Sequence, residues 1–318
     1  MLEFDDASSI AADRAAMREK LCEDGYLFFR GLLDAGMVND AASQAFAVLE
    51  EHGWFASPKG ERPRRLAMPP RVGAEGRSPH GDAGYETVTV LECMQRLGYD
   101  ADLKRVMRTL IGEAAFPLPS WAQPTPEAPY PPRGSVLRTV YPARDVPLHN
   151  GMYEHQDYRV FGIVDMFTVW VPLIPIDRNL GGLLIRKGGH RHGVVQRRPM
   201  EPAPDWATTD YQVGDALVFH ALTPHAALPN NTDQLRLSID IRFQSARVPL
   251  LSVFDYAVSG HPHFVDHPMT KCDWWEPIPP DVTLIERELF EPEPPLTASE
   301  FVPVPGFPTP ACCEGGRP

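Results

Sequence analysis

The chain lacks the features that mark several broad classes of protein. Its five cysteines are odd in number and scattered over 318 residues, which argues against a disulfide framework or a cysteine-based zinc site and fits a reducing cytoplasm. No apolar run approaches the roughly 20 residues that span a bilayer. The acidic N-terminus also differs from a secretory signal, which is basic and then apolar. We therefore expect a cytoplasmic protein without a membrane partner.

Concentrated positive charge is also missing. The formal net charge is −12, and the basic run RPRR at 62–65 is short and isolated. Nucleic-acid-binding domains usually carry a basic patch, so we expect no nucleic-acid partner and favour a small-molecule substrate. The sequence carries no signal for an oligomeric state.

The texture of the sequence changes near residue 135. Helical spacing of apolar residues predicts helices within 10–52 and 86–112, on either side of a loop rich in Pro, Gly and Arg at 54–84. Beyond residue 135, short β-prone runs alternate with turn-forming residues, which is typical of an antiparallel sandwich or barrel. We predict one domain made of a helical and loop part (1–134), a β core (about 135–245) and a C-terminal extension with a Pro-rich tail (246–318).

The residues with the clearest chemical meaning begin in the segment EHQDYRVFG at 154–162. If this segment is a strand, His155 and Asp157 point to the same face, because side chains alternate along a strand. The alternative to a metal site is an ordinary strand whose polar residues face solvent. A third donor, His225, follows the strand-like run DALVFHAL and a Thr-Pro turn. Two histidines and one carboxylate form the facial triad of non-haem Fe(II) oxygenases.

Three other histidines are candidate metal ligands by their position or spacing. His220 is a rival to His225, but it precedes the turn, and we expect it to be packed in the protein or to support a ligand. His190 and His192 have a spacing that a metal pair could use. They lie in a Gly- and Arg-rich loop, and we expect that loop to be solvated.

A second pattern begins eleven positions after His225. In the run RLSIDIRF at 236–243, polar and apolar residues alternate, so Arg236 and Ser238 share a face. A guanidinium is a natural partner for a buried carboxylate, and a nearby hydroxyl can add a hydrogen bond. This polar face could be a solvent face, but we expect it to line the interior of a barrel.

Together, the HQD motif, the distal histidine and this arginine resemble the Fe(II)/2-oxoglutarate-dependent oxygenases of the phytanoyl-CoA dioxygenase (PhyH) family. The resemblance covers most of the chain and includes the segments EDGYLFFRGLLDAGMV, WVPLIPIDRNLGGLLIRKGGHRHG and GDALVFHALTPHAALPNNTDQLRLS. It implies a mainly β fold with N-terminal helices and a double-stranded β-helix (jelly-roll, cupin-like) core. The implied cofactors are Fe(II), 2-oxoglutarate as cosubstrate, and O2.

The resemblance also assigns roles to individual residues. It implies that His155, Asp157 and His225 bind iron. The residues that it places at the cosubstrate are Arg236, Ser238, Gln156, Trp170 and Thr139. Two simpler interpretations remain open: Trp170 packs in the core, and Ser238 is an ordinary polar residue of a strand. Residues flanking the metal motif are proposed as substrate contacts without a motif to support them: Arg138, Tyr153, Tyr158 and Arg159. Lys187 and Gly189 depart from the family, which usually has Pro and Ser there.

The implied reaction is hydroxylation of an unactivated C–H bond in a small specialised metabolite, with release of succinate and CO2. Desaturation, cyclisation and epoxidation begin from the same chemistry, and the sequence does not separate them. Asp157 favours hydroxylation over halogenation, because related halogenases lack this carboxylate. A non-catalytic metal-binding β-barrel that binds a ligand is the alternative outside enzymes. A metal-dependent hydrolase is a further alternative, but it leaves Arg236 unexplained.

Overall fold

The structure is a computed structural model that describes most of the N-terminal part and of the β core. The described residues are 1–56, 82–118, 135–145, 153–161, 163, 165–195, 197–252, 267–279 and 281–285. Most of the predicted 54–84 loop, and the Pro-rich tail from 286 onward, lie outside them. No helix in the described residues is long and apolar enough to cross a membrane. The organisation into a single domain stays a prediction.

Helices dominate the described part of the chain before residue 112, as the periodicity predicted. Asp13, Asp34, Asp82 and Asp100 each accept a hydrogen bond from a backbone N–H of the first turn that follows them. Such N-caps each stabilise a helix by about 1 kcal/mol. The helices are α1 (Arg14–Asp24), α2 (Ala35–Glu51), α3 (Ala83–Thr89), α4 (Glu92–Arg96), α5 (Ala101–Ile111) and the one-turn α6 (Tyr158–Phe161).

Short strands make up the rest of the regular structure. In chain order they are β1 (Leu2–Glu3), β2 (Tyr26–Phe29), β3 (Ala115–Pro117), β4 (Ser135–Val140), β5 (Tyr153–Glu154), β6 (Met166–Pro172), β7 (Leu183–Arg186), β8 (Arg198–Pro199), β9 (Trp206–Thr208), β10 (Ala216–His220), β11 (His225–Ala227), β12 (Arg236–Ser245), β13 (Leu250–Leu251) and β14 (Leu284–Ile285). Within the β-prone run RVFGIVDMFTVWVPLIPI, strand β6 begins only at Met166, because the run starts in helix α6.

Two sheets form the β core. The larger, called here the major sheet, has the order β2-β10-β6-β12, and β3 and β4 both pair with β12. The smaller, the minor sheet, has the order β1-β9-β7-β11. Pairing in the major sheet is antiparallel throughout. Strands β10, β6 and β12 lie at its centre.

The major sheet has two different faces, set by the alternation of its side chains. On β12, the odd-numbered apolar residues Leu237, Ile239 and Ile241 join a hydrophobic cluster with residues of helices α1 to α5. The opposite face meets the minor sheet, where Trp170 and Phe219 pack in a second cluster with residues of β7 and β9. The even-numbered polar residues of β12 therefore face the space between the sheets, as the sequence predicted.

Gly25 joins the helical layer to the sheet at a position that no other residue fits well. It ends α1 with a φ of 84°, a left-handed conformation that glycine adopts without strain. A Cβ here would lie 2.6 Å from Nδ1 of His190. Because glycine has no Cβ, the buried His190 ring fits against this turn. Nε2 of the ring lies 3.0 Å from the carbonyl oxygen of Cys22.

Candidate metal centre

His155 and His225 bring two imidazole rings together at the β11 edge of the minor sheet. The residues pair through two backbone hydrogen bonds of 3.1 and 2.9 Å, and their ring centroids are 4.2 Å apart. Nδ1 of His155 lies 2.7 Å from the carbonyl oxygen of Tyr153, and Nδ1 of His225 lies 3.0 Å from that of Thr223. Because a carbonyl oxygen only accepts, each Nδ1 carries the proton, and each Nε2 presents a lone pair.

Asp157 completes a set of three donor groups. One ligand atom from each of His155, Asp157 and His225 lies within 4.8 Å of the other two. In the part of the chain that the structure describes, no other group of three or more His, Cys, Asp or Glu residues meets this arrangement. Two imidazoles and a carboxylate are donors that suit a divalent transition metal such as iron, and three coordination positions remain open in such a triad.

The charge states of these residues suit a cation. Burial lowers the pKa of His155 to about 3, and neighbouring His225 adds to this effect, so the imidazole is neutral and able to bind a metal. Burial alone would raise the pKa of Asp157, but the positive charge of Arg242 holds it well below its usual range. The carboxyl group is therefore ionised at neutral pH.

The HQD segment does not reach this geometry as a strand, so that part of the prediction is wrong. Strand β5 ends at Glu154, and Asp157 lies in a turn that leads directly into helix α6. The N–H of Arg159 donates to the carbonyl oxygen of Gln156 at 3.2 Å and closes this turn. The two side chains converge because the buried side chains of Glu154 and Gln156 hold this turn in place, and not because of strand alternation.

Gln156 holds the turn from inside the protein. Its amide nitrogen donates to the carbonyl oxygens of Gly193 and Leu222 at 2.8 and 2.6 Å, and its amide oxygen accepts from the N–H of Val195 at 2.8 Å. The side chain is buried, and these backbone groups occupy its amide. The expected contact of Gln156 with the cosubstrate is therefore replaced by a structural role, since its donors are already used.

Glu154 holds the turn from the other side, and sequence reasoning missed it. Its side chain is fully buried. Its carboxylate accepts from Nε of Arg186 at 2.6 Å, from Nη2 of Arg186 at 3.1 Å and from Nε of Arg198 at 2.7 Å. Arg186 also donates twice to Asp205 at 2.9 Å. A carboxylate directly before the metal motif was the available signal, but its partners are distant in sequence.

Arg236 and Ser238 lie together on the interior face of β12. Nη1 of Arg236 donates to Oγ of Ser238 at 2.5 Å, and Nε donates to the carbonyl oxygen of Gly181 at 3.2 Å. The guanidinium lies 5.4 Å from the centroid of the Trp170 ring. Burial lowers the pKa of Arg236 to about 10, which leaves it a cation at neutral pH. Among the described residues, none is hydrogen-bonded to its Nη2 nitrogen.

Thr139 does not belong to this group, which corrects the expectation that it contacts the cosubstrate. It pairs with Leu237 across β4 and β12, so both side chains face the helical layer. Its hydroxyl lies 3.5 Å from the hydroxyl of Tyr141, in that same layer. Its neighbour Arg138 pairs with Ser238 and faces the interior.

Arg138 is the first residue of a network of alternating charges. Of this network's arginines, only Arg138 was proposed from the sequence, as a substrate contact. Its Nε donates to Oδ2 of Asp240. Asp240 also pairs with Nη2 of Arg242 at 3.1 Å, and the same nitrogen donates to Oδ2 of Asp157 at 3.1 Å. The Arg138 side chain is 45% exposed, whereas those of Asp240, Arg242 and Asp157 are 9% exposed or less. Arg138 thus presents charge at the accessible end of a buried network.

The other three residues expected to contact substrate have different surroundings. Tyr158 is buried in an apolar cluster with Ile163 and Leu222. Nη1 of Arg159 donates to the carbonyl oxygen of Val195 at 3.2 Å. The Tyr153 ring lies 4.5 Å from the guanidinium carbon of Arg197.

The rival histidines do not belong to the donor set. His220 is buried on the helical side of β10, where its ring meets Phe167 edge-on at 5.5 Å, in agreement with the expected packing role. The expected solvated loop is correct for His192 and wrong for His190. His190 is fully buried because it packs beneath the end of helix α1, a contact between segments far apart in sequence.

Comparison with known proteins agrees with this architecture. Residues 137–238 match the family model of phytanoyl-CoA dioxygenase (PhyH). The chain is 26% identical over 268 residues to a 1-deoxypentalenic acid 11-beta-hydroxylase of Streptomyces exfoliatus, covering 77% of this chain and 86% of the relative. It is 28% identical over 269 residues to the protein of the same name from Streptomyces arenae, with the same coverage.

Solved structures confirm the predicted fold class. The apo form of the non-heme monooxygenase ThoJ matches with a TM-score of 0.50 at 17% identity, over 74% of this chain and 79% of that one. The non-heme alpha ketoglutarate dependent epimerase SnoN from nogalamycin biosynthesis matches with a TM-score of 0.50 at 18% identity, over 88% and 98%. The double-stranded β-helix core is thus shared. Residues 137–238 thus resemble the phytanoyl-CoA dioxygenase (PhyH) family, and the chain is a 2-oxoglutarate-dependent non-haem iron oxygenase, as predicted.

Proposed function

We propose that this protein hydroxylates a small organic acid of specialised metabolism. In the balanced reaction, substrate C–H, O2 and 2-oxoglutarate give substrate C–OH, succinate and CO2. The observation that carries the proposal is the convergence of His155, Asp157 and His225 in a PhyH-family β core. Desaturation, cyclisation and epoxidation remain alternative outcomes of the same chemistry.

We propose that His155, Asp157 and His225 hold the iron. Each histidine offers Nε2, because its Nδ1 is bonded to a backbone carbonyl, and the ionised Asp157 offers a carboxylate oxygen. The donor set therefore fits Fe(II) in number and type. When bound, iron together with 2-oxoglutarate supplies the oxidising chemistry for an unactivated C–H bond. The protein binds and orients the substrate and excludes water from it.

We propose that Arg236 binds the distal carboxylate of 2-oxoglutarate and that Ser238 and Trp170 support it. A buried cation with a free donor edge favours a carboxylate partner, because the pair compensates the cost of burial. Ser238 and the carbonyl of Gly181 fix the direction of the guanidinium. The Trp170 ring packs against its face, a contact that guanidinium groups favour.

Arg138 is the residue that we propose for recognition of an acidic substrate. The relatives are named for 1-deoxypentalenic acid, a carboxylic acid, and a carboxylate needs a cationic partner. Arg138 is half exposed on the interior face of β4. Its Nε is bonded to Asp240, and no described residue is hydrogen-bonded to either of its Nη nitrogens.

The first test is an anaerobic titration of the apo-protein with Fe(II) and then with 2-oxoglutarate, followed through the visible metal-to-ligand charge-transfer band. We expect a band in the parent and none in His225→Ala, and we expect Arg236→Ala to need far more 2-oxoglutarate. His192→Ala and Arg178→Ala are matched controls on exposed residues, and both should resemble the parent. A folded, metal-loaded parent without a band would refute the cosubstrate assignment.

Substrate class is tested next by succinate release. Small carboxylic acids, 1-deoxypentalenic acid among them, should stimulate succinate release above the uncoupled rate, and their methyl esters should not. Arg138→Gln should raise the KM for the acid while leaving 2-oxoglutarate binding unchanged. Equal stimulation by acid and ester would exclude recognition of the carboxylate and leave the oxygenase assignment in place.

A further inference from the structure

The two oxygens of Asp157 have different surroundings. Oδ2 accepts a hydrogen bond from the hydroxyl of Thr168 and a second from Nη2 of Arg242 at 3.1 Å. Oδ1 faces Nε2 of His225 at 3.9 Å. One oxygen is therefore held by the protein, and the other faces His225.

The two donors lie on two central strands of the major sheet. Thr168 on β6 and Arg242 on β12 are directly paired in the antiparallel ladder of the major sheet. Thr168 is fully buried, and Arg242 is 3% exposed. Asp157, by contrast, lies in a turn. Two central strands thus fix the orientation of a carboxylate whose own backbone segment is not part of a sheet.

The charge network also fixes Arg242. Its Nη2 bonds Asp240 as well as Asp157, each at 3.1 Å, and Arg138 bonds Asp240 from the other side. Negative and positive groups alternate from Asp157 to Arg138, and the four formal charges sum to zero. Asp240 therefore keeps Arg242 in place and limits the charge that it exerts on the centre.

We propose that Thr168 and Arg242 are positioning residues for Asp157. They hold Oδ2, so that the carboxylate presents only Oδ1 to the metal. This inference rests on the metal centre proposed above. Outer hydrogen-bond partners of metal ligands commonly change metal affinity by about 10–100-fold when they are removed, because they fix the orientation of the ligand.

Thr168→Val is the central test, because it removes the hydroxyl while keeping the shape and the charge. The apo-protein is titrated anaerobically with Co(II) by calorimetry, and the visible spectrum of the bound Co(II) is recorded. We expect the Kd to rise by about 10-fold or more, with an altered Co(II) spectrum. Thr168→Ser should restore both properties.

Thr208→Val is the matched control. Thr208 is also fully buried in a strand, but its hydroxyl donates to the carbonyl oxygen of Leu183, in the minor sheet. Its Kd and spectrum should equal those of the parent. Apo-protein melting curves of both variants separate a change at the centre from a general loss of folding.

Arg242→Met tests the arginine through the sign of its effect. If only charge mattered, loss of the arginine would tighten the binding of Co(II), because it removes the Coulomb repulsion between two cations. Loss of positioning weakens it, and a higher Kd is the expected result.

Three outcomes are distinguishable. A folded parent that does not bind Co(II) would refute the metal centre itself. A parent that binds Co(II), with an unchanged Kd and spectrum in Thr168→Val, would overturn the positioning role of Thr168 and leave the centre intact. Tighter or unchanged binding in Arg242→Met would overturn the role of Arg242.

Discussion

Glu154→Gln should destabilise the apo-protein, although the substitution barely changes shape. Glu154 is fully buried, and three guanidinium N–H groups from Arg186 and Arg198 donate to its carboxylate. Glutamine removes the negative charge and directs an NH2 group toward these donors. Both arginines would then lose the negative charge that balances their own positive charges in the protein interior.

The size of the effect follows from the remaining partners. Removing one member of a buried ion pair costs about 3–5 kcal/mol. Arg186 keeps Asp205, and the Arg198 side chain is 13% exposed, so we expect the lower end, about 3 kcal/mol. With about 2.1 cal/mol/K of unfolding entropy per residue, 318 residues give about 0.7 kcal/mol/K. The Tm should therefore fall by about 4 °C.

Differential scanning calorimetry of the apo-protein at neutral pH measures this change. Glu19→Gln, on an exposed position of α1, is the control and should keep the parent Tm. Because Glu154 precedes His155, Glu154→Gln should also weaken metal binding, whereas Glu19→Gln should not. A Tm equal to that of the parent would show that the network contributes no net stability, and the reasoning would fail.

Two other predictions concern buried polar side chains. Gln156→Leu should lower the free energy of unfolding by about 3 kcal/mol, because two carbonyls and one N–H lose a buried partner; urea titration measures this, and a loss below about 1 kcal/mol would contradict it. Burial lowers the pKa of His220 to about 3 and that of His190 to about 4. Below pH about 6.5 these histidines are protonated in the unfolded chain but stay neutral in the native state. The free energy of unfolding therefore falls as the pH falls toward about 4, by about 1.4 kcal/mol per pH unit for each histidine. His220→Gln should remove one such increment from the slope of unfolding free energy against pH between about 6 and 5; an unchanged slope would mean that His220 does not titrate in this way.

Local patterns sufficed where the physics is local. The alternation in RLSIDIRF predicted both faces of β12, because side chains of a strand alternate whatever the surrounding fold. The helices were predicted from their apolar spacing and ended where Gly25 and Gly53 allow a positive φ. His155, Asp157 and His225 were singled out from residue type and order, and they converge in the structure.

Other parts of the site could not be read from the sequence, because they depend on pairing between distant segments. Asp157 was expected on a strand, but the packing of Gln156 against the segments at Gly193 and Leu222 turns the chain into α6. Thr139 was expected at the cosubstrate, but its register with Leu237 turns it toward the helices.

The sequence by itself determined the chemistry of this protein, since the donor atoms and the cationic Arg236 are properties of residue types. Only the tertiary structure decided how the donors are held. The bonds from Thr168 and Arg242 to Oδ2 of Asp157 join residues 11 and 85 positions apart in the chain. Those from Arg186 and Arg198 to Glu154 span 32 and 44 positions. No local pattern encodes such bonds, because they form only when the two sheets pack and exclude water from the groups between them.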